Sequence, residues 1–395
     1  MKLTTKILIG LVLGIVSGIV AQAVGGVALS IVLALEPIGT VFIRLISMVV
    51  VPLVVASLLL GVASVGDVRA VGRIGGKALG YFLVTTVIAA MIGLGLGLAV
   101  QPGSSIESDQ RDAIAAQYSD RGEESAERAQ TVSLMERFVA IIPRNPVAAA
   151  ANMDLLGLIF ATLAFGAALS GLPAERREPV VAFFRGVNAA AAVIIDWVMK
   201  LAPYAVFVLI AGALARFGAD LLQALLVYSV LVIAGELFHT FVVLSGMLKL
   251  AGISVRAFWK HVAAAPILAF STASSNATLP VSLEVSEKNL GVSNEVASFV
   301  LPVAATLNMN GSALYKALTA VFVAQVYGVP LGGAEYVVII VTATLAALAG
   351  VGVPGSSLVT TLIVLTAIGM GAEAAAGIAL VAGLDRFLDM FRTGT

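Results

Sequence analysis

The chain has no cysteine and only two histidines, His239 and His261. The first absence removes disulfides, thiolate chemistry and Cys-based metal sites, and with so little imidazole neither a catalytic triad nor a zinc motif can be assembled. Charge is scarce as well: 12% of the residues are charged, against roughly 25% in soluble domains. The 23 acidic and 23 basic residues cancel, so no net field draws the chain to nucleic acid, and no such partner is expected. Hydrophobic residues fill the space instead, at 60%. There is too little polar surface to cover a water-soluble particle, and the chain reads as an integral membrane protein rather than an enzyme.

A helix needs about 20 apolar residues to cross the hydrocarbon core. Eight stretches qualify, near 7–25, 29–65, 78–101, 138–170, 180–214, 220–250, 295–327 and 372–393. The first, preceded by Lys2 and Lys6, has the look of a signal peptide but lacks an obvious cleavage site, so it reads as a span. Two more stretches, near 262–290 and 335–370, are apolar but interrupted by Ser, Gly and Pro, and read as re-entrant hairpins. The basic residues Lys2 and Lys6, then Arg69, Arg73 and Lys77, then Arg176, Arg177 and Arg185, then Lys249, Arg256 and Lys260 fall on alternate loops, which the positive-inside rule makes cytoplasmic. The acidic segment 102–130 falls on the other side as a flexible loop.

Irregular backbone is tolerated at membrane depth only where protein buries it or a cavity lies beside it. Motifs that interrupt spans therefore mark the site, and there are three. Ser271 to Pro280 gathers hydroxyls and an amide in an apolar stretch, including Ser274, Ser275 and Thr278. Gly350-Val351-Gly352-Val353-Pro354-Gly355-Ser356-Ser357 is glycine-rich at the matching place in the second hairpin, and paired interruptions of this kind are what an inverted-repeat transporter sets at its midplane. Asn308-Met309-Asn310-Gly311-Ser312 would unwind a helix and free carbonyls for a cation. On the last span Asp385, Asp389, Arg392 and Thr393 share one helical stripe. That stripe reads as an internal ion pair or as a zwitterion clamp, in which Arg392 forks onto a carboxylate and Asp389 receives an ammonium. Glu236 and His239 stand three apart in the sixth span, which suits a helix-packing pair or a proton relay. His261, beside a basic loop, reads as solvated.

These residues, in order, resemble the dicarboxylate/amino acid:cation symporter family, the glutamate transporters and their prokaryotic homologues. Further carriers of the resemblance are Ile43-Arg44-Leu45 through Met48 to Pro52-Leu53, Ile142-Pro143-Arg144-Asn145-Pro146 and Leu201-Ala202-Pro203. The resemblance implies an all-α membrane protein of eight transmembrane helices and two oppositely facing hairpins, in a homotrimer whose protomers work alone. It implies a scaffold from 1–77 and 138–214, an extracytoplasmic loop at 102–137, and a transport part from 78–101 and 215–395 that slides across the membrane. Both termini would be cytoplasmic, in a cell inner membrane or plasma membrane. The substrate site it implies comprises Ser274, Ser275, Ser312, Val353, Ser357, Asp389, Arg392 and Thr393. Cation positions would involve Thr85, Thr86, Ala304, Thr306, Asn308, Asn310, Ala347, Leu348, Gly350 and Asp385. No cofactor is implied beyond sodium as coupling ion, with a proton as the alternative.

The family usually reads Asn-Met-Asp-Gly-Thr where this chain has Asn310 and Ser312, and a tyrosine where it has Phe82. Residue 395 precedes an asparagine and an aspartate that the family also uses. An amide offers a cation only a dipole, so a reduced sodium stoichiometry is expected, with Asp385 or Asp389 taking a proton instead. The expected activity is symport of aspartate or glutamate. A C4-dicarboxylate lacks an ammonium for Asp389, and a neutral amino acid would leave Arg392 buried and unpaired; both are alternatives within the same fold. A channel or an intramembrane hydrolase would need a continuous pore or a nucleophile with its base.

Overall fold

The computed structural model describes residues 3–64, 68–104, 142–152, 155–348, 356–370 and 372–395. Their regular secondary structure is helical, with no strand. In chain order the helices are α1 (Leu3–Val24), α2 (Gly26–Ala34), α3 (Glu36–Ser64), α4 (Val68–Val100), α5 (Pro146–Ala151), α6 (Leu155–Ser170), α7 (Ala174–Phe238), α8 (Ser245–Leu250), α9 (Val255–Val262), α10 (Ala264–Thr272), α11 (Ser275–Lys288), α12 (Asn294–Leu307), α13 (Asn310–Val326), α14 (Gly333–Leu348), α15 (Ser356–Ala367) and α16 (Ala372–Gly394). Among the described residues four windows are long and apolar enough to cross a membrane: Thr5–Val24, Gly76–Val100, Ala174–Ala215 and Leu221–Leu250.

Local chemistry explains where the helices depart from the apolar stretches. The stretch 29–65 is two helices, because Glu36-Pro37 restarts the chain after Leu35 and proline, lacking an N–H, belongs in a first turn. The stretch 138–170 is also divided. Asn145 caps α5, its side-chain oxygen accepting from the Val147 and Ala148 amides at 2.9 and 3.2 Å, with Pro146 opening the helix, and α6 follows. The acidic segment lies almost wholly outside the described residues.

The stretches 180–214 and 220–250 do not separate at all. Helix α7 runs 65 residues without a break, about 98 Å at 1.5 Å per residue. After Pro203 no proline follows until Pro266, and a glycine such as Gly218 costs only about 1 kcal/mol in a helix interior, too little to end it. A π-helical segment, His239–Leu244, then leads into α8. There Ser245 Oγ reaches back to the Thr240 carbonyl at 3.4 Å and accepts from Trp259 Nε1 of α9 at 3.0 Å.

Helices α10 and α11 fold back on one another around Ala273, which is left-handed at φ 50°, and Ser274, which caps α11 by accepting from the Ala277 amide. Their far ends are tied where Asn289 Nδ2 donates to the His261 carbonyl at 2.8 Å. Helices α14 and α15 pack together likewise, but the stretch between them, residues 349–355, lies outside the described residues, so the approach of that tip to Ser275 is not described.

The stretch 295–327 breaks at Asn308 and Met309, whose φ of −101° and −108° with ψ of 73° and 61° leave the helical region. The half that follows, α13, is buried at every residue except Ser312 and Gln325, although it carries the polar side chains of Asn310, Lys316 and Thr319. Glycines let neighbours close in, the packing device of membrane helices. A Cβ on Gly10 of α1 would overlap the Pro203 carbonyl of α7, one on Gly14 would stand 2.7 Å from the Phe207 carbonyl, and one on Gly93 of α4 would overlap the Leu314 carbonyl of α13.

Gly93→Val should therefore wedge α4 from α13 and destabilise the protein by about 1–3 kcal/mol. Thermal unfolding in detergent should show a lowered midpoint, while Gly95→Val, whose Cβ would meet nothing within 4 Å, should leave it unchanged.

Candidate functional site

The break before α13 faces α4. Thr86 Oγ1 lies 2.7 Å from the Phe82 carbonyl and 2.8 Å from Asn310 Oδ1. Thr85 Oγ1 stands within 3.0 to 3.4 Å of the Tyr81 and Phe82 carbonyls and of the amide oxygens of Asn308 and Asn310. Each hydroxyl owns one proton, so two protons serve four acceptors. The surplus lone pairs form an all-oxygen cluster of the kind a hard cation takes. Four of the expected cation residues, Thr85, Thr86, Asn308 and Asn310, meet here.

A second cluster lies on α16. Arg392 Nη1 sits 2.8 Å from Asp385 Oδ1 and Nη2 sits 2.8 Å from Asp389 Oδ1, with Arg386 at 3.9 Å from the other Asp389 oxygen. The guanidinium side chain is 1% exposed and its carbon lies 4.0 Å above the Tyr315 ring of α13, a cation–π contact. Spacings of four and three put both carboxylates on the arginine's face of the helix. The stripe thus contains the internal ion pair, doubled, and Asp385 belongs to it. Thr393 lies beside it, half-buried.

Ser312 and the buried Ser357 join α13 to α15 through their hydroxyls at 3.1 Å. Ser274 and Ser275 occupy the turn between α10 and α11, partly exposed, and α10 packs on α16, where Phe270 meets Phe391 edge to face at 5.0 Å. Ala304 closes the last turn of α12, its carbonyl accepting from Asn308 N at 2.9 Å. The Thr306 hydroxyl turns back to the Val303 carbonyl at 3.0 Å. Ala347 is buried and Leu348 ends α14. Val353 and Gly350 lie outside the described residues. A separate cavity of about 690 Å³ is lined by apolar residues of α3, α5, α6 and α7, such as Val55, Val147 and Phe165, and by none from the polar clusters.

Three participants were missed in the sequence. Tyr315 supplies the ring under Arg392, and Ser312, a turn away, was the available signal. Arg386 immediately follows Asp385 and lies three before Asp389, the spacing already used for Arg392. Lys316 is fully buried, with Nζ 3.4 Å from the Ser312 carbonyl; the single charged residue of its helix was the visible sign.

Comparison with known proteins identifies the family. The model of the sodium:dicarboxylate symporter family matches residues 3–395. A proton/sodium-glutamate symport protein of Geobacillus stearothermophilus is 38% identical over 360 residues, 91% of this chain and 83% of the relative. The proton/glutamate-aspartate symporter of Escherichia coli K12 is 37% identical over 91% of this chain and 81% of its own length, and a C4-dicarboxylate transport protein of Bacillus subtilis is 30% identical over 90% and 82%. With the match running nearly end to end over a multi-pass helical membrane protein, the chain belongs to the sodium:dicarboxylate symporter family.

Proposed function

We propose that the protein is a secondary active symporter that carries an acidic amino acid, aspartate or glutamate, with sodium, a proton or both. The observation that carries this reading is the buried Arg392 fork with Asp389 beside it. A guanidinium recognises a carboxylate bidentately, and Asp389 offers a carboxylate to an ammonium, which a C4-dicarboxylate lacks. The relatives named for glutamate also share more of their sequence with the chain than the one named for C4-dicarboxylates.

In this reading the substrate's side-chain carboxylate takes the Arg392 fork, its ammonium goes to Asp389, and Ser312, Ser357, Thr393 and the backbone at Ser274, Ser275 and Val353 complete the site. The hairpins α10–α11 and α14–α15 enter the membrane without crossing it, from opposite sides. Residues 78–101 and 215–395 move as a transport part past a scaffold in a homotrimer, by an elevator motion that has to flex α7 near residue 215, where the boundary falls within that helix, with both termini cytoplasmic in a cell inner membrane or plasma membrane. The oxygen cluster of Thr85, Thr86, Asn308 and Asn310 receives sodium, with Ala304, Thr306, Ala347, Leu348 and Gly350 as further cation positions.

Replacing Arg392 by alanine should weaken aspartate binding at least roughly 30-fold, since truncating one partner of a buried charge pair costs about 2–5 kcal/mol. Arg392→Lys, which keeps the charge and loses the fork, should also weaken it. Calorimetric titration with aspartate reads both, and wild-type affinity in either variant would take Arg392 out of the site.

Asn310 sets the strength of the sodium site. Turned over, its amide presents NH₂ to the two threonine oxygens, whose protons go to the α4 carbonyls, and the cluster is satisfied without a cation. A carboxylate has no such alternative. Asn310→Asp should therefore steepen the plot of log aspartate affinity against log sodium concentration, and equal slopes for the two proteins would place the coupling elsewhere.

A further inference from the structure

Three carboxyl groups are buried among the described residues: Asp385, Asp389 and Glu236. The two aspartates face the Arg392 guanidinium at 2.8 Å. Glu236 does not. It is 1% exposed, has no ion-pair partner among the described residues, and neither of its oxygens makes a well-formed hydrogen bond; Thr395 is its polar neighbour. Nor is it placed by accident of a long side chain reaching water. It stands where α7, α13 and α16 meet, held against the one residue of α13 that has no side chain. A Cβ on Gly311 would come 2.9 Å from Glu236 Oε2 and 2.6 Å from the Arg392 carbonyl oxygen. The carboxyl and the Arg392 carbonyl thus meet over the same face of Gly311.

The charged groups around it are few. On its own helix, one turn on, is His239, whose Nε2 lies 3.2 Å from the Thr85 carbonyl. Helix α16 brings Arg392, with Asp385 and Asp389 beyond it, and Arg386; α13 brings Lys316. Of the other helices packed on α7, α1 carries Lys6, α3 carries Glu36 and Arg44, and α4 carries Arg69, Arg73 and Lys77, of which Lys6, Arg44 and Lys77 are exposed, and α2 carries no charge. Beside the fork the three buried carboxyls and the bases Arg386, Arg392 and Lys316 cancel when all are ionised. An acidic amino acid adds one net negative charge to that balance. A buried site can take it up only with a compensating positive charge, because an unpaired ion in low dielectric is costly.

We infer that Glu236 is the carrier of the co-transported proton, a role that rests on the symport reading above. The carboxylate accepts one proton from water as the anionic substrate binds and returns it to water on the other side as the substrate leaves. No other bond changes. The linkage is electrostatic and passes through Arg392: while the fork is shared only by the aspartates, its positive charge favours an ionised Glu236, and once the substrate's carboxylate joins the fork that support is spent. Binding of substrate and proton then favour each other by the same factor, as linkage requires.

The test is aspartate affinity against pH in the purified protein. With one obligately linked proton, the wild-type dissociation constant should rise by up to about tenfold per pH unit over the alkaline range, and Glu236→Gln, which keeps the shape and removes the titration, should flatten the plot. Calorimetry of the wild type in two buffers of different ionisation enthalpy gives the same answer without a variant, and about one proton should be taken up per aspartate. A slope that survives Glu236→Gln, or no proton uptake by a wild type that binds aspartate, would overturn the assignment and leave acidic amino acid symport standing. Failure of the wild type to accumulate any acidic amino acid in proteoliposomes would instead overturn the symport reading.

Discussion

One guanidinium organises the polar core. Arg392 lies inside protein with a carboxylate on each side and an aromatic ring beneath. A buried charge is tolerable only when paired and hydrogen-bonded, and breaking such a pair by removing one partner is costly. The fork therefore constrains everything it touches. Asp385 and Asp389 must stay in helical register with it, Tyr315 must hold its ring flat below, and Gly311 must remain bare so that α13 reaches the Arg392 backbone. The substrate site proposed here is the same fork with one more claimant.

Helix α13 transmits these constraints across the molecule. Its first turn carries Asn310 to the hydroxyls of α4 and Ser312 to Ser357 of α15. Its middle carries Tyr315 and Lys316, and Thr319 bridges the Tyr228 hydroxyl at 2.7 Å to the Tyr315 carbonyl at 2.6 Å. Its end fixes α4 through Gln325, which accepts from the Gly103 amide and donates to the Gly97 carbonyl, both at 3.0 Å. A helix buried on all sides with polar groups only at such points can shift little without breaking several contacts together, so the oxygen cluster, the serine pair and the arginine fork behave as one unit.

Which parts could be read without coordinates follows from the range of the physics involved. The break at Asn308–Met309 and the turn at Ala273–Ser274 are local, written in amides, hydroxyls and a cap, and so is the spacing that gathers Asp385, Asp389 and Arg392 on one face. Composition and the apolar stretches carried the membrane class, and the family resemblance named Thr85, Thr86 and Asn310 together as cation residues, although they lie more than 200 positions apart and no periodicity connects them. Hydropathy marks 29–65 and 138–170 only as apolar stretches long enough to be broken, and it does not see Pro37 or the Asn145 cap, which set where α3 and α5 begin. The continuity of α7 was hidden for the opposite reason, since a polar dip around Asp220 looks like a loop although nothing in it stops a helix. Isolation of Glu236 could not be read at all: which carboxyl goes unpaired depends on where the arginines end up.

The widened turn at His239–Leu244 gives the long helix a kind of slack. A π-helical turn contains one residue more than an α-helical one needs, so the chain before it, carrying Glu236 and His239 inward, and the chain after it, carrying Ser245 toward Trp259, are phased independently. Removing one residue from this stretch would let the turn relax to ordinary α-helix, the wide turn absorbing the deletion so that Ser245 keeps its side of the helix, whereas the same deletion inside an α-helical turn would rotate all that follows by about 100°. The widened turn is thus the place in this segment where a change of length need disturb neither the buried carboxyl on one side nor the indole contact on the other.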